Sequence, residues 1–348
     1  VYTGLLTFED AADVGDGYAH GVAVNDQVFS TAAARCAVAV VHNGPLQATL
    51  RVRTELEAPA RFRFDLMQRS PELVGLVIDS RVTLRRGSAH VEIETTVHNV
   101  VEDHRLRVLF PAGAAAQTYL ADTPFDVVER PIALRADNHL YRELEVETKP
   151  QQSWSAVHDD RRGLAIVSTG LLESAVCDLP DRALALTLFR ATRRAVGRPD
   201  EPGGQLQGAL HFRYWIVPLT GAPDRCYLFD LAQRLAAGVW NVQLQPRDLA
   251  LARQGNRRRL PGRASFLSVD APAVVTSARF IDGGLEVRMF NPTDAAGRVN
   301  LAVAEPERFR SAQRVDFESR PLTEPQPLEQ GRLLADIAAR QIVTWRFA

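Results

Sequence analysis

Alternation of apolar and polar residues with a period of two limits the fold of this chain more than any other feature. In the segment 91–97 (VEIETTV), the valines and the isoleucine point to one face of an extended strand and the glutamates to the other. Similar strand-like runs occur at 48–56, 62–67, 73–84, 163–168, 183–189 and 206–217. Short strands that recur with turns between them are typical of antiparallel sandwiches, so the chain is predicted to be all-β.

Helical periodicity is confined to one stretch, 227–239, where Leu228, Leu231 and Leu235 recur at helical spacing. Residues 245–263 are poor in apolar side chains and rich in Arg, Gln and Gly, which predicts a linker. A second set of strands is expected at 265–269, 274–280, 285–290, 298–303 and 341–347.

A chain of 348 residues exceeds the usual size of a single core. We therefore predict three parts. The first is a large antiparallel supersandwich of the galactose-mutarotase-like kind over residues 1–244, with the short helix near its end. The linker 245–263 follows, and a smaller C-terminal β-sandwich covers residues 264–348.

Composition excludes several classes of partner. The formal net charge is −1, so nothing favours a nucleic acid or an anionic membrane. Cys36, Cys177 and Cys226 are widely separated and odd in number, which argues against a disulfide framework and against a zinc site. The sequence shows no signal peptide and no apolar run near the ~20 residues of a membrane span. A bacterial cytoplasm is the expected location.

Several segments carry a resemblance to a known family, in that family's order. They are Phe8-Glu9-Asp10 with Gly15-Asp16-Gly17-Tyr18, then 103–108 (DHRLRV), 122–131 (DTPFDVVERP), 163–166 (GLAI), 185–190 (ALTLFR), 240–241 (WN), 285–291 (LEVRMFN) and 342–344 (IVT). This ordered set resembles the C-terminal β-domain region of glycoside hydrolase family 38, the retaining α-mannosidases. The similarity spans nearly the whole chain, and 122–131 is its closest segment.

The sequence also departs from the family pattern. Residues 11–14 (AADV) stand where the family usually has Arg-Gly-Asp, and Gly17 stands where a Glu is common. Near the end of the large sandwich, 217–219 (VPL) replaces the family's Pro-His. These differences indicate a divergent member with altered specificity.

The resemblance implies a retaining mechanism with an Asp nucleophile, a second carboxylic acid about 5 Å away and a divalent metal, usually zinc. The family keeps these groups in an N-terminal region that this sequence is expected to lack. Among the eight histidines, the one His-x-Asp is His158-Asp159-Asp160, at a turn before Gly163. We interpret it as solvated turn chemistry. No cofactor is therefore expected in this chain, and the zinc is expected in the missing catalytic domain.

The resemblance also implies which residues reach the sugar. Tyr18 is the first candidate, because a phenol offers both an apolar face and a hydroxyl; the alternative is a Tyr that anchors its loop. Arg130 is the second, as a donor to a sugar hydroxyl or to a catalytic carboxylate, and the alternative is an ion pair with Glu129 or Asp126. Asp122 and Asp126 flank a Thr-Pro turn, where they either accept sugar hydroxyl bonds or cap the turn.

Tryptophans are the usual stacking platforms for sugar rings. Trp215, Trp240 and Trp345 are predicted to be core residues because they lie in or beside apolar segments. Trp154 lies in the polar run 151–155 (QQSWS) and is the one candidate for an exposed platform.

Three functions remain open. The leading hypothesis is a non-catalytic C-terminal portion of a retaining α-mannosidase. It would complete the sugar pocket of its own N-terminal catalytic domain, be inactive alone, and be able to form homo-oligomers. The second is a stand-alone carbohydrate-binding β-protein. The third is an aldose epimerase, which needs a His acid and a Glu base, such as His98 with Glu102 or His211 with a distant Glu. It ranks last, since the strand pattern turns His98 outward.

Overall fold

The computed structural model describes residues 1–196, 198–243, 245–247, 264–270, 272–304 and 307–348. The chain divides into two compact units, Val1–Pro223 and Asp224–Ala348. Both consist mainly of antiparallel strands, so the prediction of an all-β protein is confirmed.

The first unit contains many strands of very different lengths. They are β1 (Thr7–Ala12), β2 (Phe29–Ser30), β3 (Arg35–Asn43), β4 (Gln47–Pro59), β5 (Phe62–Arg63), β6 (Gln68–Arg69), β7 (Leu73–Arg85), β8 (Val91–Asn99), β9 (His104–Pro111), β10 (Thr118–Thr123), β11 (Asp126–Pro131), β12 (Lys149–Pro150), β13 (Trp154–His158), β14 (Gly163–Ser168), β15 (Glu173–Val176), β16 (Ala183–Ala191), β17 (Arg194–Ala195), β18 (Arg198–Pro202) and β19 (Gly208–Leu219). Two short 3₁₀ helices lie at Thr31–Ala33 and Asn138–Leu140.

Two large sheets account for most of these strands. The nine-stranded sheet has the order β11-β10-β13-β14-β19-β8-β7-β4-β3, and the six-stranded sheet has the order β12-β15-β16-β9-β1-β2. Their neighbouring strands run antiparallel. Two small ribbons, β5–β6 and β17–β18, lie outside them.

The inner faces of the two sheets share one buried apolar cluster. Ile93 and Val97 of β8 enter it from the nine-stranded sheet, and Leu106, Val108 and Phe110 of β9 enter it from the six-stranded sheet. Each such side chain contributes about 1.5–3 kcal/mol when it leaves water. The alternation in 91–97 thus produces the predicted strand, with the apolar set inward and with His98 exposed as expected.

The second unit is a smaller sandwich that begins with a helix. Its elements are α1 (Arg225–Ala237), β20 (Leu267–Val269), β21 (Val274–Ile281), β22 (Gly284–Phe290), β23 (Gly297–Val303), β24 (Ser311–Val315), β25 (Gln326–Pro327), β26 (Arg332–Ile337) and β27 (Ile342–Phe347). A three-stranded sheet, β20-β23-β26, faces a five-stranded sheet, β21-β22-β27-β24-β25. Leu333 and Ile337 of β26 meet Val287 and Met289 of β22 in its core.

The predicted helix forms, but two residues earlier than expected. Asp224 caps it, because its Oδ1 accepts from the backbone N–H of Tyr227 at 3.0 Å, and Gly238 ends it with φ 67°. The helix groups with the second unit rather than the first. Its Phe229 packs edge-on against Phe290, with 5.2 Å between the two ring centroids. Residues 248–263 of the predicted linker lie outside the described residues.

Two of the four tryptophan predictions are wrong. Trp215 and Trp345 are buried as expected, but Trp154 is fully buried and Trp240 is 90% exposed. The polar residues next to Trp154 make hydrogen bonds inside the protein. The Gln151 side chain, for example, donates to Ser168 Oγ at 3.2 Å. Polar neighbours therefore do not mark a surface strand when they bond to one another.

No helix in the described part of the chain is both long and apolar enough to cross a membrane.

Candidate functional site

The loop that follows β1 is held closed by one buried carboxylate. Asp13 is fully buried, and its Oδ1 accepts from the backbone N–H of Gly15 at 3.0 Å and of Gly21 at 3.1 Å. The backbone N–H of Val14 donates to the Gly21 carbonyl at 3.0 Å. These bonds join the two ends of residues 13–21, which we call the Tyr18 loop.

Two glycines permit this closure. A Cβ on Gly15 would lie 2.1 Å from the carbonyl oxygen of Ala19, and a Cβ on Gly21 would lie 2.2 Å from the backbone nitrogen of Gly15. Both contacts are with backbone atoms, which cannot move aside as a flexible side chain would. Glycine is therefore required at both positions because the backbone segments approach so closely.

Tyr18 stands at the tip of this loop with its phenol in solvent. Its side chain is 85% exposed, so it does not anchor the loop against the sandwich. Asp16 fixes the backbone beneath it, since one carboxylate oxygen accepts from the N–H groups of Tyr18 at 2.8 Å and Ala19 at 3.2 Å. The structure thus presents an exposed aromatic hydroxyl on an ordered loop.

Arg190 of β16 ties the Tyr18 loop to the six-stranded sheet. Its Nε donates to Asp13 Oδ2 at 2.7 Å, and its Nη2 donates to the carbonyl of Asp16 at 2.7 Å. The Arg190 side chain is 10% exposed and that of Asp13 is 0% exposed, so this is a buried ion pair. Beside it, burial and, to a smaller extent, the charge of Arg105 lower the pKa of His20 to about 4, so the imidazole is neutral near pH 7.

The other predicted residues lie on the β10–β11 hairpin, where β11 forms one edge of the nine-stranded sheet. Asp122 is buried and closes a neighbouring turn. Its Oδ1 accepts from the N–H groups of Gln152 and Ser153 at 2.8 Å, and its Oδ2 accepts from Ser153 Oγ at 2.6 Å. Burial raises the pKa of this carboxyl, and these donors oppose the shift. The geometry favours a turn-stabilising role for Asp122.

Asp126 lies at the turn end of the same hairpin, opposite Thr123. Its Oδ1 accepts from the backbone N–H of Val127 at 2.7 Å, and the residue is half-buried. It is thus placed beside Asp122 at one end of the hairpin, with part of its side chain open to solvent.

Arg130 lies at the opposite end of the hairpin, paired with Tyr119. Glu129 does not neutralise it, because the Glu129 carboxylate instead accepts from Thr118 Oγ1 at 2.6 Å. The guanidinium carbon lies 6.0 Å from the ring centroid of Tyr119. Arg130 Nη1 and the Tyr119 hydroxyl are both buried without a hydrogen bond of good geometry in the described ranges, but Arg130 lies close enough to oppose the rise in the pKa of Tyr119 that burial causes. Buried polar groups are nearly always hydrogen-bonded, so the incomplete bonding of this pair leaves capacity for a further partner.

The structure therefore separates the predicted residues into two groups. Tyr18 belongs to a loop leaving the six-stranded sheet, whereas Asp122, Asp126 and Arg130 belong to a hairpin at the edge of the nine-stranded sheet. Tyr119 was missed because it reads as a buried strand residue, which it is.

A cavity of about 300 Å³ beside the Tyr18 loop was also missed by sequence reasoning. Its polar lining consists of Asp16, Glu173, Thr187, Arg190 and Thr192. The segment 185–190 had indicated only a strand. The hydroxyl and guanidinium within that apolar run were the one available sign of a polar surface on β16.

In the part of the chain that the structure describes, no group of three or more His, Cys, Asp or Glu side chains could hold a metal ion. The His158-Asp159-Asp160 segment forms a turn, as interpreted above. Asp159 Oδ1 accepts from the N–H of Arg161 at 2.8 Å and of Arg162 at 2.9 Å. Together with the N–H of Ala115, these donors lower the pKa of Asp159 to about 2.

Residues 3–201 match the family model described as the glycosyl hydrolases family 38 C-terminal domain. A putative mannosylglycerate hydrolase from Halalkalibacterium halodurans is 24% identical over 243 residues, covering 63% of this chain and 26% of that protein.

Two solved structures from Enterococcus faecalis align with the whole chain. One is a protein in glycosyl hydrolase family 38, at TM-score 0.82 and 25% identity, and the other is an alpha-mannosidase from strain V583, at TM-score 0.84 and 26% identity. The chain covers 40% and 39% of those two proteins. It thus spans about a quarter of the curated relative and about two fifths of the solved structures.

Proposed function

Because the chain belongs to glycosyl hydrolase family 38, through the C-terminal domain of that family, we propose that it is the non-catalytic C-terminal portion of a retaining α-mannosidase. The carrying observation is the coverage: the chain aligns over its full length with an alpha-mannosidase yet accounts for 39% of that protein. The catalytic centre, in this proposal, lies in the remaining part of a longer protein.

The role of this portion is to complete the sugar pocket of the catalytic domain. Tyr18 supports this proposal best, because an exposed phenol on a loop fixed by Asp13 and Asp16 can reach across an interface. Arg130, with its unpartnered buried Nη1, is the second proposed contact. Asp122 and Asp126 stay in the proposal as predicted contacts, and Asp126 is the more accessible of the two.

A divalent metal, zinc by family resemblance, belongs in this proposal to the catalytic domain. The described residues of this chain offer no set of ligands that fits it. There the ion would orient sugar hydroxyls and stabilise developing charge. This chain's own contribution is limited to binding and orienting the substrate.

We also propose a cytoplasmic location. The three cysteines are free, and such thiols persist in a reducing compartment.

The proposal is tested by steady-state kinetics of the intact enzyme on an aryl α-mannoside. Tyr18→Phe and Arg130→Ala are expected to lower kcat/KM by about tenfold each, the size of one lost hydrogen bond to a charged or bound group. Tyr141→Phe and Arg142→Ala serve as controls, since both side chains are exposed and lie on another segment. Equal activity in test and control variants would remove Tyr18 and Arg130 from the site.

The 348-residue chain alone is expected to hydrolyse no α-mannoside. Turnover by the purified chain would contradict its assignment as the non-catalytic portion.

A further inference from the structure

The cavity beside the Tyr18 loop has the features of a built ligand site. Asp16 and Gly17 of the loop form one wall, Glu173 of β15 forms another, and Thr187 and Arg190 of β16 form the floor. Its volume of about 300 Å³ lies at the lower end of the range for small-molecule pockets, about 300–1,000 Å³. A single monosaccharide fits such a volume better than an oligosaccharide does.

A bulge in β16 shapes the floor of this cavity. The pairing of β16 with β9 shifts between Thr187 and Phe189, so Leu188 is the extra residue. A bulge bends a strand and redirects the side chains on either side of it, and bulges are common next to binding sites. Here Thr187 and Arg190 both line the cavity although they are an odd number of positions apart.

The buried Thr187 hydroxyl is the strongest single indication that the cavity binds a ligand. The residue is 6% exposed, yet its Oγ1 has no hydrogen-bond partner within the ranges that the structure describes. Buried hydroxyls are nearly always hydrogen-bonded, because an unmade bond leaves the full desolvation penalty. A hydroxyl left in this state at the floor of a cavity can both donate to and accept from a ligand.

Glu173 supplies an acceptor on the adjacent strand. Its Oε2 is buried and also lacks a partner among the described residues, while its Oε1 lies 3.7 Å from Arg190 Nη1. Arg190 Nε and Nη2 are already bonded to Asp13 and to the Asp16 carbonyl. Arg190 therefore orients the wall of the cavity rather than carrying a free charge into it.

The charge of the lining selects the kind of ligand. Two carboxylates, Asp16 and Glu173, face the cavity against one guanidinium, which Asp13 already neutralises. His20 adds no positive charge near pH 7, since its pKa lies at about 4. An anionic ligand would be repelled, whereas neutral hydroxyl groups can donate to the free carboxylate oxygen.

From this geometry we propose that the cavity binds a neutral sugar ring. Glu173 Oε2 accepts from one hydroxyl, Thr187 Oγ1 bonds to a neighbouring hydroxyl, and the Tyr18 loop forms the adjacent wall. The identification of the sugar as the mannose of an α-mannoside rests on the proposed function. The site itself rests only on the cavity, the bulge and the two unpartnered oxygens. It favours a neutral sugar unit over a carboxylate such as glycerate.

The test is calorimetric titration of the 348-residue chain with D-mannose and, separately, with D-glycerate. Saturable mannose binding without glycerate binding is expected. Thr187→Val keeps the shape of the side chain and removes its hydroxyl, and Glu173→Gln removes the charge. Each is expected to weaken mannose binding about fivefold or more, by loss of one hydrogen bond. Glu143→Gln, at an exposed carboxylate outside the cavity, is expected to leave the affinity unchanged.

Absence of saturable mannose binding by the wild-type chain would overturn the site, as would affinities that neither Thr187→Val nor Glu173→Gln alters. Glycerate binding that Glu173→Gln strengthens would overturn the choice of a neutral ligand. A different result would overturn the proposed function alone. Mannose binding by the chain, combined with an intact enzyme that cleaves no α-mannoside, would leave the site in place and reject the mannosidase assignment.

Discussion

Two concave polar surfaces of the first unit look alike in composition but differ in how their polar groups are satisfied. A groove of about 620 Å³ on the nine-stranded sheet is lined by charged residues, and there Arg51 Nε lies 2.9 Å from Asp79 Oδ2. Glu92 is bonded by Arg213 Nε at 2.5 Å, and His211 Nδ1 lies 2.9 Å from Thr96 Oγ1. The cavity beside the Tyr18 loop is about half that volume.

The difference lies in unused bonding capacity. The ion pairs of the groove join neighbouring strands through arginines that are about half exposed, 48% for Arg51 and for Arg213, so solvent weakens the contribution of each pair to stability. The smaller cavity holds a buried ion pair, Asp13–Arg190, beside two buried oxygens without partners. Exposed polar groups such as Arg81, Glu94 and His98 of the groove are satisfied by solvent without a ligand, so size alone is a poor guide to the site.

The largest expected effect comes from the buried ion pair. Arg190→Ala leaves Asp13 charged, buried and unpaired, and should lower the free energy of unfolding by about 3–5 kcal/mol. Arg51→Ala, its counterpart in the groove, should change stability very little because that pair is solvated. Urea denaturation of both variants measures the contrast. Equal losses of unfolding free energy in the two variants would mean that the two ion pairs stabilise the protein equally despite their different burial.

The next largest effect is a pH dependence of stability, which arises from His20 in the Tyr18 loop. The pKa of His20 in the folded chain is about 4, below the ordinary value of 6.5. The unfolded chain therefore binds this proton first, so the contribution of neutral His20 is complete above about pH 6.5. As the pH falls from about 6.5 to about 4, this contribution to the free energy of unfolding is lost progressively, about 3 kcal/mol in total.

Urea denaturation of wild type and His20→Gln from pH 7.5 to pH 4 gives the free energy of unfolding of each, and the difference between the two isolates this contribution. A difference that does not change with pH would show that His20 is not held neutral.

A smaller effect is expected from the loop glycines. Gly15→Ala places a Cβ against the Ala19 carbonyl and should cost about 1–3 kcal/mol as the loop shifts to accommodate it. Gly75→Ala in β7 is the matched control, because its Cβ would meet nothing within 4 Å. Thermal unfolding should separate the two variants. The loop shift should also weaken mannose binding, and unaltered binding in Gly15→Ala would detach the loop from the site.

The smallest effect is predicted for the groove. Glu94→Gln, within the groove lining, should leave mannose affinity unchanged in the same calorimetric titration. A loss of affinity as large as that of Glu173→Gln would move the sugar site to the nine-stranded sheet.

Local patterns predicted the strands well, whereas the predicted site residues stay predictions. The alternation in 91–97 became β8, and the apolar spacing near 228–235 became α1, because both patterns report which face is buried. Trp154 and Trp240 were misplaced, since burial there depends on packing that is distant in sequence. Tyr18 is exposed on its loop, and its role as a substrate contact stays a prediction.

Thr187 was not predicted, for a physical reason. Its position depends on a register shift between two strands far apart in sequence, and β-bulges of this kind leave no pattern within a single strand. Arg190 likewise acquires its role from Asp13, which precedes it by 177 residues. Contacts of this separation are visible only in the folded chain.

The most direct test is backbone amide NMR of the 348-residue chain during titration with D-mannose. The account predicts that the signals of Gly17 and Leu188, beside the small cavity, shift and saturate together, while those of Thr96 and His211 in the larger groove stay fixed. Saturating shifts at Thr96 and His211 with none at Gly17 and Leu188 would contradict it.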